Sequence, residues 1–231
     1  MHITDVINSH ANPEQAKILQ RFFKTGKGQY GEWDQFLWIK VPVQRQIAKQ
    51  HLEIDFSEIQ ALLDSPIHEY RLVAVLILVQ KYAKADEKLQ KKIFDFYLKN
   101  AKWINNRDLV DLSAPHIVGE YLLEREKDIL YKLAKSKNLR EKRIAIISTF
   151  AFIKVGLFED TFKIAEILMH DDHDLIHKAV GWMLREAGKR SLYEEEKFLK
   201  PRYKKMPRTM LRYAIEKFEE TKRQKYLKWQ I

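Results

Sequence analysis

Residues 176–190, IHKAVGWMLREAGKR, indicate the fold class, because their apolar positions recur with the period of an α-helix. One stripe is apolar and includes Ile176, Val180 and Leu184. A second face is basic and consists of Lys178, Trp182, Arg185 and Lys189. Gly181 in mid-helix costs about 1 kcal/mol relative to alanine. We therefore expect another part of the molecule to approach the helix closely at this glycine.

The same periodicity continues along most of the 231 residues, which contain only 7 Gly and 6 Pro. Helices are predicted over residues 12–24, 42–52, 56–64, 67–83, 87–99, 106–112, 116–135, 139–153, 159–168, 172–187, 191–198 and 207–220, and an extended loop over 24–42. Consecutive helices pair at a spacing of about 35–45 residues, which is typical of HEAT-like repeats. The pattern predicts an all-α, right-handed superhelical solenoid with a concave binding face, in one domain over residues 1–231. A compact helical bundle is the alternative architecture.

Composition restricts the function. The chain has 42 Lys+Arg and 32 Asp+Glu, and the formal charge of +10 favours a polyanionic partner, nucleic acid before a membrane surface. Cysteine is absent, which excludes disulfides, thiolate metal sites and cysteine nucleophiles. The N-terminus lacks the pattern of a secretory signal, and the most apolar run is too short to span a bilayer. We expect a cytoplasmic, monomeric protein without a membrane partner.

Three motifs could carry chemistry. Residues 170–177, HDDHDLIH, contain three histidines, but the spacing fits a helix start better than a metal site, so we predict no metal and no cofactor. Residues 105–113, NNRDLVDLS, place Asp108 and Asp111 on one helical face, where two carboxylates could hold a water or stabilise a cation. The alternative is local: Asn105 caps the helix and Asp108 completes a capping box.

The third motif, residues 138–147, NLREKRIAII, starts a helix with several cations. Cations oppose the helix dipole at this end, so Arg140 and Arg143 indicate an anion such as phosphate. A solvated charged face is the alternative. In the opening stretch, Trp182 likewise has two interpretations, a contact with a nucleic-acid backbone or a place in the core.

Four ordered segments together resemble the bacterial DNA alkylation repair family, the AlkD-like alkylpurine DNA glycosylases. They are NNRDLVDLSAPHIVG (105–119), NLREKRIAIISTFAFIKVG (138–156), DLIHKAVGWMLREAGKR (174–190) and RTMLRYAIEKF (208–218), and GKGQYGEWDQFLWIKVPVQR (26–45) is also similar to that family. The resemblance implies a HEAT-like solenoid that cradles duplex DNA. It also implies hydrolysis of the N-glycosidic bond of cationic N3- and N7-alkylpurines, without a deep base pocket.

The resemblance also implies roles for individual residues. Asp111 matches the family's catalytic carboxylate, Arg143 its phosphate-contacting arginine and Trp182 a tryptophan that packs on DNA at the lesion. Further candidates for DNA contact are Arg107, Lys178, Arg185, Arg140 and Asp108. The chain departs from the family pattern at Arg107 and Arg140, which replace tryptophans, and at Trp33 and Trp38, which stand where glycines are expected.

Three functional hypotheses follow. The first is a metal-free glycosylase acting on alkylated purines in duplex DNA, with Asp111 as the electrostatic catalyst. The second is a DNA-binding relative that lost excision, because Arg107 and Arg140 replace family tryptophans and Arg107 brings a cation toward a site that must stabilise positive charge. The third is a protein-binding scaffold, which would lack the steep salt dependence of phosphate contacts.

Overall fold

The computed structural model describes residues 2–14, 16, 25–27, 31–32 and 34–231, and the chain in these parts is helical. The helices are α1 (Ile3–Asn8), α2 (Val41–Gln50), α3 (Phe56–Leu63), α4 (His68–Tyr82), α5 (Glu87–Lys99), α6 (Arg107–Asp111), α7 (Glu120–Leu122), α8 (Asp128–Ala134), α9 (Leu139–Ser148), α10 (Phe150–Lys154), α11 (Glu159–Leu168), α12 (Asp174–Arg190), α13 (Leu192–Leu199), α14 (Arg208–Ala214) and α15 (Glu220–Leu227). A π-helical turn, Pro115–Gly119, precedes α7, and a 3-10 turn, Ile215–Lys217, follows α14. In the described residues the extended pairing is limited to one isolated bridge, Gln35 with Ile67. The predicted all-α class is confirmed.

The helices form two compact units, residues 1–117 and 118–231. In the first unit α4 is the central element, because its residues from His68 to Leu78 are all buried. It packs against α2, α3, α5 and α6. A helix that is buried on all sides explains why the segment RLVAVLILV reads as continuously apolar rather than amphipathic. This helix also carries buried charged residues at its start, and they bear on the site described below.

In the second unit α12 is the central element and packs against α9, α11, α13 and α14. Gly181 lies where α12 meets α14. A Cβ atom built at this glycine would overlap the carbonyl oxygen of Met210 and lie 2.6 Å from Cβ of Tyr213. The close approach expected from the glycine is therefore confirmed, and the neighbour is the backbone of α14.

Most predicted helices are present with ends shifted by a few residues, and some expectations were wrong. The predicted helix over 116–135 is broken, because the charged run 124–127 offers no apolar side chain to bury and the chain leaves the helix there before α8 begins. Helices α1 and α15 were missed; α15 buries only Tyr226 and so lacks an amphipathic pattern. Most of the predicted helix over 12–24 and part of the loop over 24–42 lie outside the described residues.

None of the described helices is both long enough and apolar enough to cross a lipid bilayer.

A buried carboxyl group in the second unit gives a pH-dependent prediction. Glu195 of α13 is only 1% exposed and faces Gly188 of α12, where a side chain would overlap its carboxyl group. Burial, together with the neighbouring charge of Glu196, raises the pKa of Glu195 from 4.5 to about 9. The carboxyl is therefore protonated in the folded protein at neutral pH and ionised in the unfolded chain.

Replacing Glu195 with glutamine should stabilise the protein at alkaline pH. Because the pKa of Glu195 is raised, its contribution to the free energy of unfolding is fully present below pH 4.5 and is lost as the pH rises toward 9. Glutamine stays neutral over this range. At pH 8 we expect the variant to gain on the order of 1–2 kcal/mol in the free energy of unfolding, and less at pH 5. Urea unfolding at both pH values measures this, with Glu166→Gln as the exposed control. Equal gains at pH 5 and pH 8 would contradict the assignment.

Candidate active site

The helix α6, which carries the predicted catalytic Asp111, is only five residues long. Helices of this length are not stable on their own in water, so contacts with the rest of the fold must hold α6 in place. Its N-cap is Asn106, whose side-chain oxygen accepts a hydrogen bond from the backbone N–H of Arg107 at 2.9 Å. The expectation that Asn105 is the cap was wrong, because the amide of Asn105 donates to Asp34 instead.

Asp34 holds the start of α6. The Nδ2 atom of Asn105 donates to Oδ1 of Asp34 at 2.7 Å, and Nδ2 of Asn106 donates to Oδ2 at 3.2 Å. Arg71 of α4 also donates to Oδ1 of Asp34, at 2.6 Å. Asp34 is buried, and an ionised buried carboxylate requires such partners.

His68, the first residue of α4, connects Asp34 to α6. Its Nε2 atom lies 2.8 Å from Oδ2 of Asp108, and its Nδ1 atom lies 3.7 Å from Oδ2 of Asp34. The imidazole is buried and packs on the ring of Phe36, with 4.9 Å between the ring centroids. Asp108 therefore pairs with a histidine 40 residues earlier in the chain, and the expected capping box with Asn105 is wrong.

The charges of this cluster perturb one another. Burial opposes the charged form of His68, but the charge and hydrogen bond of Asp108, with further contributions from Asp34 and Glu69, raise its pKa from 6.5 to about 9. Burial alone would raise the pKa of Asp108, but the neighbouring imidazolium lowers this pKa below its usual value. His68 is thus a cation and Asp108 an anion at neutral pH.

The segment before α2 is fixed by a buried carboxylate. Glu69 accepts backbone hydrogen bonds from Leu37 at 2.9 Å and from Trp38 at 2.7 Å. Trp38 has a φ of 59°, in the left-handed region that favours glycine. Glycine adopts this conformation more easily than tryptophan does, which agrees with the glycine that the family pattern has at this position. Trp33, the other tryptophan in this loop, lies outside the described residues.

At its other end α6 is fixed by two buried hydroxyl groups. Ser113 donates from Oγ to the carbonyl oxygen of Leu109 at 2.5 Å, and the same Oγ lies 2.8 Å from the hydroxyl of Tyr97. Asp111 is half-buried beside them. Burial raises the pKa of Tyr97, and the negative charge of Asp111 raises it further, so the phenol remains a neutral hydrogen-bonding group near this carboxylate.

Arg107 is exposed at the first position of α6. It lies four residues before Asp111, so helical geometry places the two side chains on one face. No ion pair of the Arg107 guanidinium occurs within the part of the chain that the structure describes. The arginine is thus solvated and does not enter the buried cluster formed by Asp34, His68 and Asp108.

In the second unit, Trp182 is half-buried on α12. Its indole N–H donates to Oε1 of Glu186 at 3.0 Å, and its ring lies 6.4 Å from that of Phe150 between centroids. Because Gly181 beside it takes the contact with α14, the tryptophan is on a different side of the helix from that contact. Gly181 therefore serves helix packing, whereas Trp182 is neither fully buried in the core nor fully exposed and keeps an accessible part.

The predicted phosphate contacts differ in accessibility. Arg143 is buried and donates from its guanidinium to the carbonyl oxygen of Leu175 at 2.8 Å, which ties α9 to α12. Arg140 is half-buried in the first turn of α9, where Asn138 caps the helix by accepting from its backbone N–H at 2.9 Å. The helix start predicted at residues 138–147 is confirmed, with Asn138 as its N-cap.

Lys178 and Arg185 of α12 form ion pairs within the unit. The Nζ atom of Lys178 lies 2.6 Å from Oδ2 of Asp174, and Arg185 pairs with Glu216. The Lys178 pair is partly exposed, and ion pairs at a protein surface contribute little free energy, so an external anion could replace Asp174 at low cost, whereas the Arg185 side chain is only 16% exposed.

The histidines of residues 170–177 serve the start of α12. His173 is its N-cap and accepts from the backbone N–H of Leu175 at 3.1 Å, and His177 bonds to the carbonyl oxygen of Asp171. The helix predicted over 172–187 therefore starts slightly later, at Asp174, after its cap His173. In the described residues no group of three or more His, Asp or Glu side chains is arranged to hold a metal ion.

Comparison with known proteins establishes the family. The model of the DNA alkylation repair enzyme family matches residues 3–218, so the chain belongs to the DNA alkylation repair family. A solved structure, described as a predicted DNA alkylation repair enzyme from Enterococcus faecalis, is similar with a TM-score of 0.72. The match has 17% identity and covers 91% of this chain and 98% of that chain, and at this identity it shows the shared fold. No curated protein matches the sequence.

Proposed function

We propose that this protein is a DNA glycosylase that releases cationic N3- and N7-alkylated purines from duplex DNA. The observation that carries the proposal is the placement of Asp111, a half-buried carboxylate on a five-residue helix that is held at both ends by buried polar contacts. A carboxylate fixed in this way can stabilise positive charge without reorganising during the reaction. Membership of the DNA alkylation repair family supports an alkylated DNA substrate.

The chemistry requires little beyond such a carboxylate. In a cationic alkylpurine the bond between C1′ and the base nitrogen breaks, and the electron pair of this bond neutralises the leaving base. The sugar becomes an oxocarbenium-like cation, which the Asp111 carboxylate stabilises. A water molecule oriented by Asp111 then adds its oxygen to C1′ and loses a proton to solvent water, and the product is an abasic site. No step needs a metal or a cofactor.

The remaining candidates would hold the DNA. We assign Trp182 to packing against the lesion nucleotide, because part of its ring is accessible on α12. Arg140, Lys178 and Arg185 would pair with phosphates. Arg143 is buried, so its part is to fix α9 against α12 and to orient the basic first turn of α9. Asp108 holds α6 through His68 rather than touching DNA.

The direct test is release of 7-methylguanine from a methylated duplex by the wild-type protein, beside an unmodified duplex. Release from the methylated duplex alone supports the glycosylase. Absence of release, with salt-sensitive DNA binding intact, would favour the binding-only relative. Absence of both base release and salt-sensitive DNA binding would favour the hypothesis of a protein-binding scaffold.

Replacing Arg107 with alanine should weaken DNA binding without slowing excision. Arg107 is exposed, so its charge is available to a phosphate, and the surrounding water weakens its effect on the reaction centre. We expect the slope of log Kd against log salt to fall by about one, and the single-turnover rate at saturating protein to change less than about threefold. Lys88→Ala, an exposed cation of α5, is the control. A rate increase of about tenfold with an unchanged slope would show that Arg107 opposes Asp111.

A further inference from the structure

The start of the helix that carries Asp111 rests on a buried cluster of charged side chains that the proposed chemistry does not use. We infer that His68 is a positioning residue for base excision: its imidazolium holds α6, and with it Asp111, by bridging Asp108 and Asp34. The inference rests on the proposed glycosylase function. It assigns no contact between His68 and DNA.

The first step of the argument is the small size of α6. One and a half turns of helix do not define their own orientation, so the direction of the Asp111 carboxylate depends on what holds the helix. At the N-terminal end the anchors are Asp34, through Asn105 and Asn106, and His68, through Asp108. Asp108 and Asp111 are three residues apart on one face, so a shift of Asp108 moves Asp111 with it.

The second step is the rigidity of His68 itself. It is the first residue of the most deeply buried helix of its unit and is only 3% exposed. Phe36 packs on its ring, and Asp108 and Asp34 lie at its two nitrogens. A side chain fixed on these sides can set the position of a partner to within a fraction of an ångström, which is the tolerance that catalysis requires.

The third step is charge. The imidazolium donates from Nε2 to Asp108 and attracts Asp34, whose Oδ2 lies 3.7 Å from Nδ1, whereas a neutral ring has no charge to offer either carboxylate. The charged groups facing it are Asp34, Asp108 and Glu69 as anions and Arg71 as the other cation. The three carboxylates outnumber the one arginine and keep His68 protonated to a pH of about 9. Loss of that proton would leave Asp108 facing a neutral ring.

The experiment compares His68→Leu and His68→Gln with the wild type, using single-turnover release of 7-methylguanine and the Kd for the same duplex. Leucine removes the hydrogen bond to Asp108 and the cation beside Asp34, and we expect the rate to fall by about 10- to 100-fold with Kd changed less than about twofold. Glutamine can still donate one hydrogen bond to Asp108, so it should restore part of the rate. His51→Gln is the matched control, because the side chain of His51, the residue that follows α2, bonds to the carbonyl oxygen of Ile47 in that helix.

The pH profile separates positioning from a purely structural role. The wild-type rate should decline as the pH rises through about 9, where His68 loses its proton, whereas His68→Gln should lack this decline on the same duplex. If leucine prevents folding, the glutamine variant and the pH profile decide alone. Wild-type rates in folded His68→Leu, or a decline that His68→Gln retains, would overturn the inference. If the wild type releases no base, the proposed function fails first and this inference fails with it.

Discussion

Replacing Asp111 with asparagine should lower the release of 7-methylguanine by about 10²- to 10³-fold, which is the typical cost of removing one group that stabilises transition-state charge. Asparagine has nearly the same shape, so α6 and its contacts with Asp34 and His68 should remain. What is lost is the negative charge that offsets the oxocarbenium-like sugar. The affinity for DNA should be unchanged or slightly higher, because a carboxylate near a phosphate backbone is repelled by it.

The measurement is the single-turnover rate at saturating protein together with Kd at fixed salt, since the rate then reports the chemical step. Asp95→Asn is the matched control, because Asp95 is an exposed carboxylate of α5 that pairs with Lys91 at 2.6 Å. A similar loss of rate in the control would attribute the effect to net charge. An unchanged rate in Asp111→Asn would remove Asp111 from the mechanism.

The second large effect is expected on stability. Gly181→Ala should destabilise the protein by about 2–4 kcal/mol, although alanine is the better helix former by about 1 kcal/mol. The reason is the contact with α14: the added methyl group would overlap the carbonyl oxygen of Met210 and crowd Cβ of Tyr213. The Met210 oxygen is a backbone atom, and Cβ of Tyr213 is bonded directly to the backbone. Neither atom can rotate away, so α12 and α14 must move apart.

Thermal and urea unfolding measure this effect. Ala179→Gly is the matched control in the same helix, because it removes a methyl group from a buried position instead of adding one, and should cost only the propensity and packing of one alanine. A stabilised Gly181→Ala variant would mean that α14 is not held against α12 in solution. A destabilised variant that still releases base at low temperature would separate the packing role of Gly181 from the DNA role proposed for Trp182.

Local signals in the sequence predict the helices and several of their ends. The helix predicted over 87–99 is α5, and Asp86 caps it by accepting from the backbone N–H of Leu89 at 2.8 Å. The helix predicted over 139–153 likewise begins directly after its cap, Asn138. The mid-helix glycine correctly indicated a close neighbour, because its cost in a helix needs a compensating contact. Each of these inferences depends on residues only a few positions apart.

The cluster around His68 could not be predicted, because its members are 34 and 40 residues apart and no local pattern joins them. From the sequence, His68 is a polar residue at the start of an apolar helix, and the spacing of Asp108 alone also fits a local capping box. The choice between Asn105 and Asn106 as the cap of α6 also depends on Asp34, because the amide of Asn105 donates a hydrogen bond to that carboxylate. Burial of a charge is a property of the tertiary structure, and so are the perturbed pKa values that follow from it.

The five-residue length of α6 has a consequence for the temperature range of activity. Asp111 keeps its orientation only while the surrounding unit keeps its side-chain contacts, so a partial opening that releases Asp108 or Ser113 would disorder the carboxylate without unfolding the longer helices. Excision should then fall off several degrees below the midpoint of global melting. The amide protons of residues 109–113 should exchange with solvent through this opening sooner than those in the middle of α4.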